Sequence, residues 1–245
     1  MTTFTTEDRV QAQRKPKIVV ITPTTGIDLL TRAVNSVQAQ TVPAEHWVVA
    51  DGVEASRSNP SFNSTSKRIV LPENTGRHNG IPWNGHRIYA GVSFLVNADY
   101  VLFLDEDNWF ADNHVESMVK YIQDNKLDWC YSLRKIYNED GKFECVDDCE
   151  SLGKYPTFYD HTLNFVDTNC YCVKGDLLPY VSPHFYMPAI GDRPFYKALA
   201  QTFPKFGCTG DYTVNYTAKP ELVKMFKQGN ELTNKAYGEL PWRKK

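Results

Sequence analysis

Four short runs of β-branched and aliphatic residues, each ending abruptly in polar or turn-forming residues, constrain this chain more than any other feature. Lys17 to Thr22 is ended by Pro23, and His46 to Ala50 by Asp51-Gly52. Lys67 to Leu71 is ended by Pro72, and Tyr100 to Leu104 by Asp105-Glu106-Asp107. Runs of this kind read as buried strands. Helical spacing of apolar residues marks Asp28 to Gln40, where Asp28 is a candidate cap, then Trp83 to Val96 and Asn113 to Asn125. The alternation predicts an α/β fold with a mainly parallel sheet flanked by helices. Ligands of such sheets bind beyond the carboxyl ends of the strands. Thr22-Pro23-Thr24, Asp51, Pro72 to Gly76 and Asp105 to Asp107 all sit there, so one crevice is expected to collect them.

The second half is less regular. Leu127 to Ile136, Asn164 to Val173 and Tyr212 to Thr217 read as strands, and Arg193 to Thr202 as a helix. They predict a small antiparallel subregion closing over the site. We expect a lead-in over residues 1–15 and one domain over 16–220. That domain divides into a nucleotide-binding half, 16–125, and an acceptor-side half, 126–220. A basic tail, 221–245, follows.

Charge and cysteine usage narrow the function classes. The 245 residues carry a formal net charge of -2, so no global basic field points to nucleic acid or an anionic membrane. The last 27 residues differ, with seven Lys/Arg against three Glu. They form a solvated helical tail or a contact with a membrane surface or anionic acceptor. Six cysteines include Cys170-x-Cys172 and Cys145-x3-Cys149, neither of which is a paired zinc-ligand set. Plain burial of Cys170 and Cys172 in a reduced protein is the expectation. With no apolar span or leader, the chain reads as cytoplasmic, soluble or peripherally membrane-associated.

Asp105 and Asp107, at i and i+2 past an apolar strand, are costly unless a positive charge meets them. Mg2+ or Mn2+ answers that need, preferring oxygen ligands and phosphates. Asp51 can accept a hydrogen bond from an imide N–H of uracil or thymine, or from guanine. Asn74-x-Gly76-Arg77 combines close backbone approach with a phosphate-pairing guanidinium. No G-x-G-x-x-G follows the first strand, and neither G-x4-G-K-[ST] nor G-x-S-x-G occurs. Nicotinamide-type Rossmann proteins, P-loop NTPases and α/β-hydrolases are thereby disfavoured.

Taken in order, these four strand ends resemble the GT-A fold of family 2 glycosyltransferases, most closely over residues 16–125. The resemblance implies a nucleotide pocket lined by Thr22, Pro23 and Thr24, with Asp51 on the base and Arg77 near base or phosphate. Asn74 and Glu106 fall within the same nucleotide-binding set. Asp105 would touch the ribose, and Asp107 would ligate the Mn2+ or Mg2+ bridging the diphosphate. It implies an inverting enzyme moving one hexose-type sugar from a nucleotide-diphospho-sugar to a hydroxyl of a glycan, glycolipid or protein-linked acceptor. UDP is the first expectation for the donor, ahead of guanosine and thymidine. The family's catalytic acid lies in a Glu-Asp pair before a second-half helix. The match here is Gly191-Asp192, so Asp192 is the candidate general base although Gly191 replaces the first acid. Asp167 and Asp211 are runners-up. Without Gln-x-x-Arg-Trp, non-processive transfer is expected. Trp83, Trp109, Phe158, Tyr159, Phe185 and Tyr186 are candidate sugar-stacking aromatics, and His184 is a metal ligand or a surface histidine. A sugar-phosphate nucleotidyltransferase is disfavoured, because Thr22 to Asp28 holds no Lys or Arg. A non-catalytic nucleotide-sugar-binding module is the other alternative.

Overall fold

The computed structural model describes residues 14–155, 164–238 and Trp242. Phe158, Tyr159, the first 13 residues of the lead-in and the final lysines lie outside that range. A nine-stranded sheet runs through the molecule in the order β3-β2-β1-β6-β10-β8-β11-β7, with β9 paired to β8. Its first four strands are β1 (Ile18–Thr24), β2 (Glu45–Ala50), β3 (Lys67–Val70) and β6 (Tyr100–Phe103), all parallel. The register sets Ile21 opposite both Trp47 and Phe103. β1, β2 and β6 are largely buried on both faces, which is why they read as continuous apolar runs, whereas β3 is the exposed edge strand. Two-residue strands β4 (Arg77–His78) and β5 (Ile81–Pro82) pair only with each other.

The rest of the sheet is mixed. β10 (Tyr171–Lys174) runs antiparallel to both β6 and β8 (Trp129–Tyr137), and β9 (Phe143–Val146) runs antiparallel to β8. β11 (Phe206–Thr217) is parallel to β8 and antiparallel to β7 (Trp109–Phe110). The strand expected from Asn164 therefore begins only at Tyr171, because Asp167 caps a short 3-10 turn through Asn169 N–H instead. Cys170 and Cys172 are fully buried, and all six cysteines are free thiols.

Helix α1 (Leu30–Gln38) buries Leu30, Ala33, Val34 and Val37. Asp28 does not cap it. Leu29 holds the cap position, and no side chain bonds there. The basic tail begins as a long helix, Pro220–Tyr237, whose Val223 and Phe226 pack on Ile136, Cys149 and Ala218. Trp242 returns to the body, where its Nε1 donates to Asp148 Oδ1 at 3.1 Å and its ring lies 4.5 Å from Tyr155.

The two halves are joined beneath the acidic turn. Arg32 of α1 donates through Nη2 to Asp107 O at 2.9 Å and to Thr217 Oγ1 at 2.7 Å, and stacks 3.7 Å from the Trp109 ring centroid. Thr217 Oγ1 also donates to Asp107 O, and Thr217 N–H to Asn108 Oδ1. Replacing Arg32 by Met removes one cation–π contact and two hydrogen bonds. A loss of about 1–3 kcal/mol is expected, measurable as a lower urea midpoint at unchanged slope.

Candidate active site

A cleft of about 510 Å3 opens at the carboxyl ends of β1, β2 and β6, within the range that holds a nucleotide-sized ligand. Pro23, Thr24, Asp51, Arg77, Asp105, Glu106, Asp107 and Asp192 all line it, as does Asp167. Thr22 does not: it is fully buried in β1, and its hydroxyl meets His46 Nε2 at 2.9 Å. Burial lowers the His46 imidazole to about 3, so the ring stays neutral. Asn74 holds the loop rather than facing the cleft. Its Nδ2 donates to Asp51 O at 3.1 Å, and its Oδ1 accepts from Gly76 N–H at 3.0 Å.

Asp51 divides its two oxygens. Oδ1 accepts from Thr75 N–H at 2.7 Å and Thr75 Oγ1 at 2.9 Å. Oδ2 lies against Gly76, where an added Cβ would stand 3.0 Å away. Glycine at 76 thus leaves that oxygen approachable.

Glu106 has a different occupation from its neighbours. Its oxygens accept from Thr24 Oγ1 at 2.5 Å, Thr25 Oγ1 at 2.6 Å and Thr25 N–H at 2.9 Å, with longer bonds from Gly26 and Ile27 N–H. It staples the loop after β1 to the loop after β6, an anchoring that the tripeptide alone does not display.

Asp105 is bound on both oxygens, by Tyr89 OH at 2.8 Å and by Asn169 Nδ2 at 2.8 Å. Burial, with repulsion from Asp107 and Asp167, still pushes it up to about 7. Burial and the adjacent Glu106 push Asp107 up to about 6, against the opposing field of Arg32. Among the described residues no side-chain donor meets the Asp107 carboxylate, and no three His, Cys, Asp or Glu side chains cluster as a metal set. Two buried, neighbouring carboxylates in the lining of a cleft fit a divalent cation whose remaining ligands come from a phosphate-bearing partner.

The three candidate bases are now distinguishable. Asp167 is tied up, accepting from Arg134 Nη1 at 2.5 Å, Asn169 Nδ2 at 2.7 Å and Asn169 N–H at 3.0 Å. Asp211 lies in β11 and does not line the cleft. Asp192 opens the helix Asp192–Thr202 and lines the cleft, its Oδ1 accepting from Arg193 N–H at 2.9 Å. Burial and the Asp167 charge push its carboxyl up to about 7.

The residue before it has a steric explanation. A Cβ on Gly191 would sit 2.5 Å from Phe185 O and 2.7 Å from the His86 ring, while Gly191 N–H meets His86 Nδ1 at 3.2 Å. No side chain fits there, so an acid at 191 is excluded by packing. Of the aromatics, Phe185 is core, stacked 3.8 Å from Phe195, and Trp109 carries Arg32. Trp83 and Tyr186 pair at 4.7 Å. His184 is exposed and lines no part of the cleft.

Two outcomes follow from these contacts. Gly191→Glu is expected to lower stability by about 1–3 kcal/mol through overpacking, read as a depressed Tm. Asp192→Asn is expected to raise the Tm of the ligand-free protein above pH 7 and leave it unchanged near pH 3. A carboxyl whose folded pKa lies above its unfolded value near 4 favours folding when protonated, and that advantage is lost as pH rises through about 7.

Part of the sequence, and the fold, are similar to those of known proteins. Residues 84–177 match the model of Glycosyl transferase family 2, a stretch that contains Asp105 to Asp107 and ends past Asn169. The fold matches S. aureus TarS. The crystal structure of TarS 1-349 in complex with UDP aligns with TM-score 0.60 at 17% identity, covering 93% of this chain and 68% of that one. TarS 1-349 in complex with UDP-GlcNAc aligns with TM-score 0.58 at 18% identity, over 82% and 58%. Against the longer TarS chain the TM-score is 0.60 at 18% identity, and this chain spans 37% of its length. No curated protein sequence matches significantly. A segment of the chain thus matches the Glycosyl transferase family 2 model, and the fold of the chain is similar to that of TarS.

Proposed function

We propose that this protein transfers one sugar from a uridine-diphospho-sugar to an acceptor hydroxyl, with inversion and with a divalent cation. The observation that carries the proposal is Asp192, which no cation among the described residues meets at hydrogen-bond distance and which is raised to about 7, lining the same cleft as Asp105 and Asp107. The approachable Asp51 Oδ2 suits the N3–H of uracil, and the fold is shared with a protein crystallised with UDP and UDP-GlcNAc. Pro23, Thr24 and Arg77 line the cleft; in this reading the first two meet the base and Arg77 pairs with phosphate. In this reading the protein works in the cytoplasm, with access to nucleotide sugars made there.

Asp105, oriented by Tyr89 and Asn169, takes the ribose hydroxyls. Asp107 would hold Mn2+ or Mg2+ against the diphosphate, which when bound neutralises the charge of the leaving group. The acceptor hydroxyl gives its proton to the Asp192 carboxylate as its oxygen attacks the anomeric carbon. The bond from that carbon to the diphosphate oxygen breaks, and the nucleoside diphosphate leaves with the electron pair. The acceptor is a glycan, glycolipid or protein-linked hydroxyl, extended by one sugar per encounter.

The proposal is tested by thermal shift with UDP, GDP and dTDP, with and without Mn2+, followed by transfer assays. UDP with Mn2+ is expected to shift the Tm most. Asp107→Ala is expected to abolish transfer and the Mn2+-dependent shift together. Asp192→Asn is expected to lower transfer by at least 100-fold, the scale of a lost general base, while the UDP shift stays within error. Wild-type kcat/KM should rise with pH and level off above about 7, since only the deprotonated Asp192 accepts the proton. Full turnover after exhaustive chelation would defeat the metal-dependent reading.

A further inference from the structure

The mouth of the cleft carries an apolar surface that the transfer reaction does not use. Ile81 is 50% exposed, Tyr186 61%, Met187 42% and Ile190 48%. They come from two distant segments joined at the rim, where Ala189 N–H donates to Pro82 O at 3.0 Å and the Trp83 and Tyr186 rings lie 4.7 Å apart. Pro82 and Ala189 themselves line the cleft, so the patch is continuous with its opening. Contiguous exposed apolar surface of this kind marks a contact site rather than ordinary solvent-facing residues.

The charge of the same two segments indicates what meets it. Between Glu73 and Asp99 there is no acidic residue, and none between Asp176 and Asp192. Arg77 and Arg87 lie in the first segment, with the Arg87 guanidinium 3.9 Å from the Trp83 ring centroid. The remainder of the cleft is strongly acidic, so this acid-free rim is a local exception. A sugar ring would be met by flat aromatic faces and polar side chains, whereas three of the four exposed residues are flexible aliphatic ones. Aliphatic side chains beside the exposed Tyr186 and Arg77 suit the boundary between anionic headgroups and acyl chains, with the buried Trp83 and the Arg87 stacked on it supporting the rim from beneath.

We propose that the Ile81–Tyr186–Met187–Ile190 rim docks on an anionic lipid surface, with the cleft opening toward that surface. The contact is separate from the basic C-terminal helix, whose lysines lie on another element. The corollary, that the acceptor is carried by a lipid, rests on the glycosyl-transfer reading. The docking itself does not.

The experiment is flotation with vesicles of phosphatidylglycerol and phosphatidylcholine, beside vesicles of phosphatidylcholine alone. The wild-type chain is expected to float with the anionic vesicles and to be partly released by salt. The triple variant Ile81→Ser, Met187→Ser, Ile190→Ser is expected to lose at least tenfold in vesicle partition, with its Tm shift by UDP and Mn2+ equal to wild type. Lys224→Ser with Lys235→Ser in the tail helix is expected to float as wild type does. Wild type that ignores anionic vesicles, or a triple variant that floats undiminished, overturns the proposal. So does loss of flotation in the tail variant alone. A rim variant that changes only the oligomeric state assigns the patch to a second copy of the chain and overturns it as well. Wild type that floats but shows no nucleotide shift removes the glycosyl-transfer reading and leaves the docking standing.

Discussion

A single buried guanidinium makes the acidic cleft possible. Arg134 is 2% exposed in β8, where Nε donates to Asp147 at 2.8 Å, Nη2 to Glu150 at 2.6 Å and Nη1 to Asp167 at 2.5 Å. One cation cannot neutralise three carboxylates. Backbone donors supply much of the remainder: Asp147 accepts from the N–H groups of Cys149, Glu150 and Ser151. A buried ion cluster is tolerated when such bonds satisfy its spare lone pairs. The chain then continues outward. Asp167 holds Asn169, and Asn169 in turn fixes both the backbone N–H and the carboxylate of Asp105.

That relay places charge where it destabilises the empty protein. Asp105, Asp107 and Asp192 all hold protons more tightly than free carboxylates do, through burial and the repulsion of neighbouring carboxylates, Asp167 among them in each case. The strain of such an arrangement is usual where a site is built for a partner of opposite charge. Glu106 shows the contrast. The same tripeptide contributes one carboxylate whose bonds are all internal, and it spends them tying two loops into one wall.

The strand ends were legible because buried parallel strands leave continuous apolar runs, and polar residues can follow only where the sheet stops. Asp105, Asp107, Asp51 and Pro23 could be placed by that rule alone. Thr22 could not, since one residue of strand extension decides between cleft and core, and its partner His46 comes from another strand. Glu106 lines the cleft and Asn74 does not, and the bonds of both are set by loop shape, which carries no periodic signal. Arg134 escaped notice for a related reason: its three partners lie 13, 16 and 33 residues away, and nothing local marks it as buried. Gly191 was visible as a missing acid. Only the packed His86 ring shows that the position has no room for one.

The seam under Asp107 bears on how such a chain can be inherited. Although the strand-end motifs all precede residue 126, the turn that presents Asp107 is gripped by Thr217, and β7 is paired to β11 at Phe110–Val214 and Trp109–Asn215. The first half is therefore not a transplantable cassette. A chimera joining these first 125 residues to the second half of a relative would need that relative's matching strand to carry a hydroxyl at the Thr217 register. Recombination between relatives is constrained at a residue remote from every recognisable motif, and the second half can drift only as far as that strand keeps its grip.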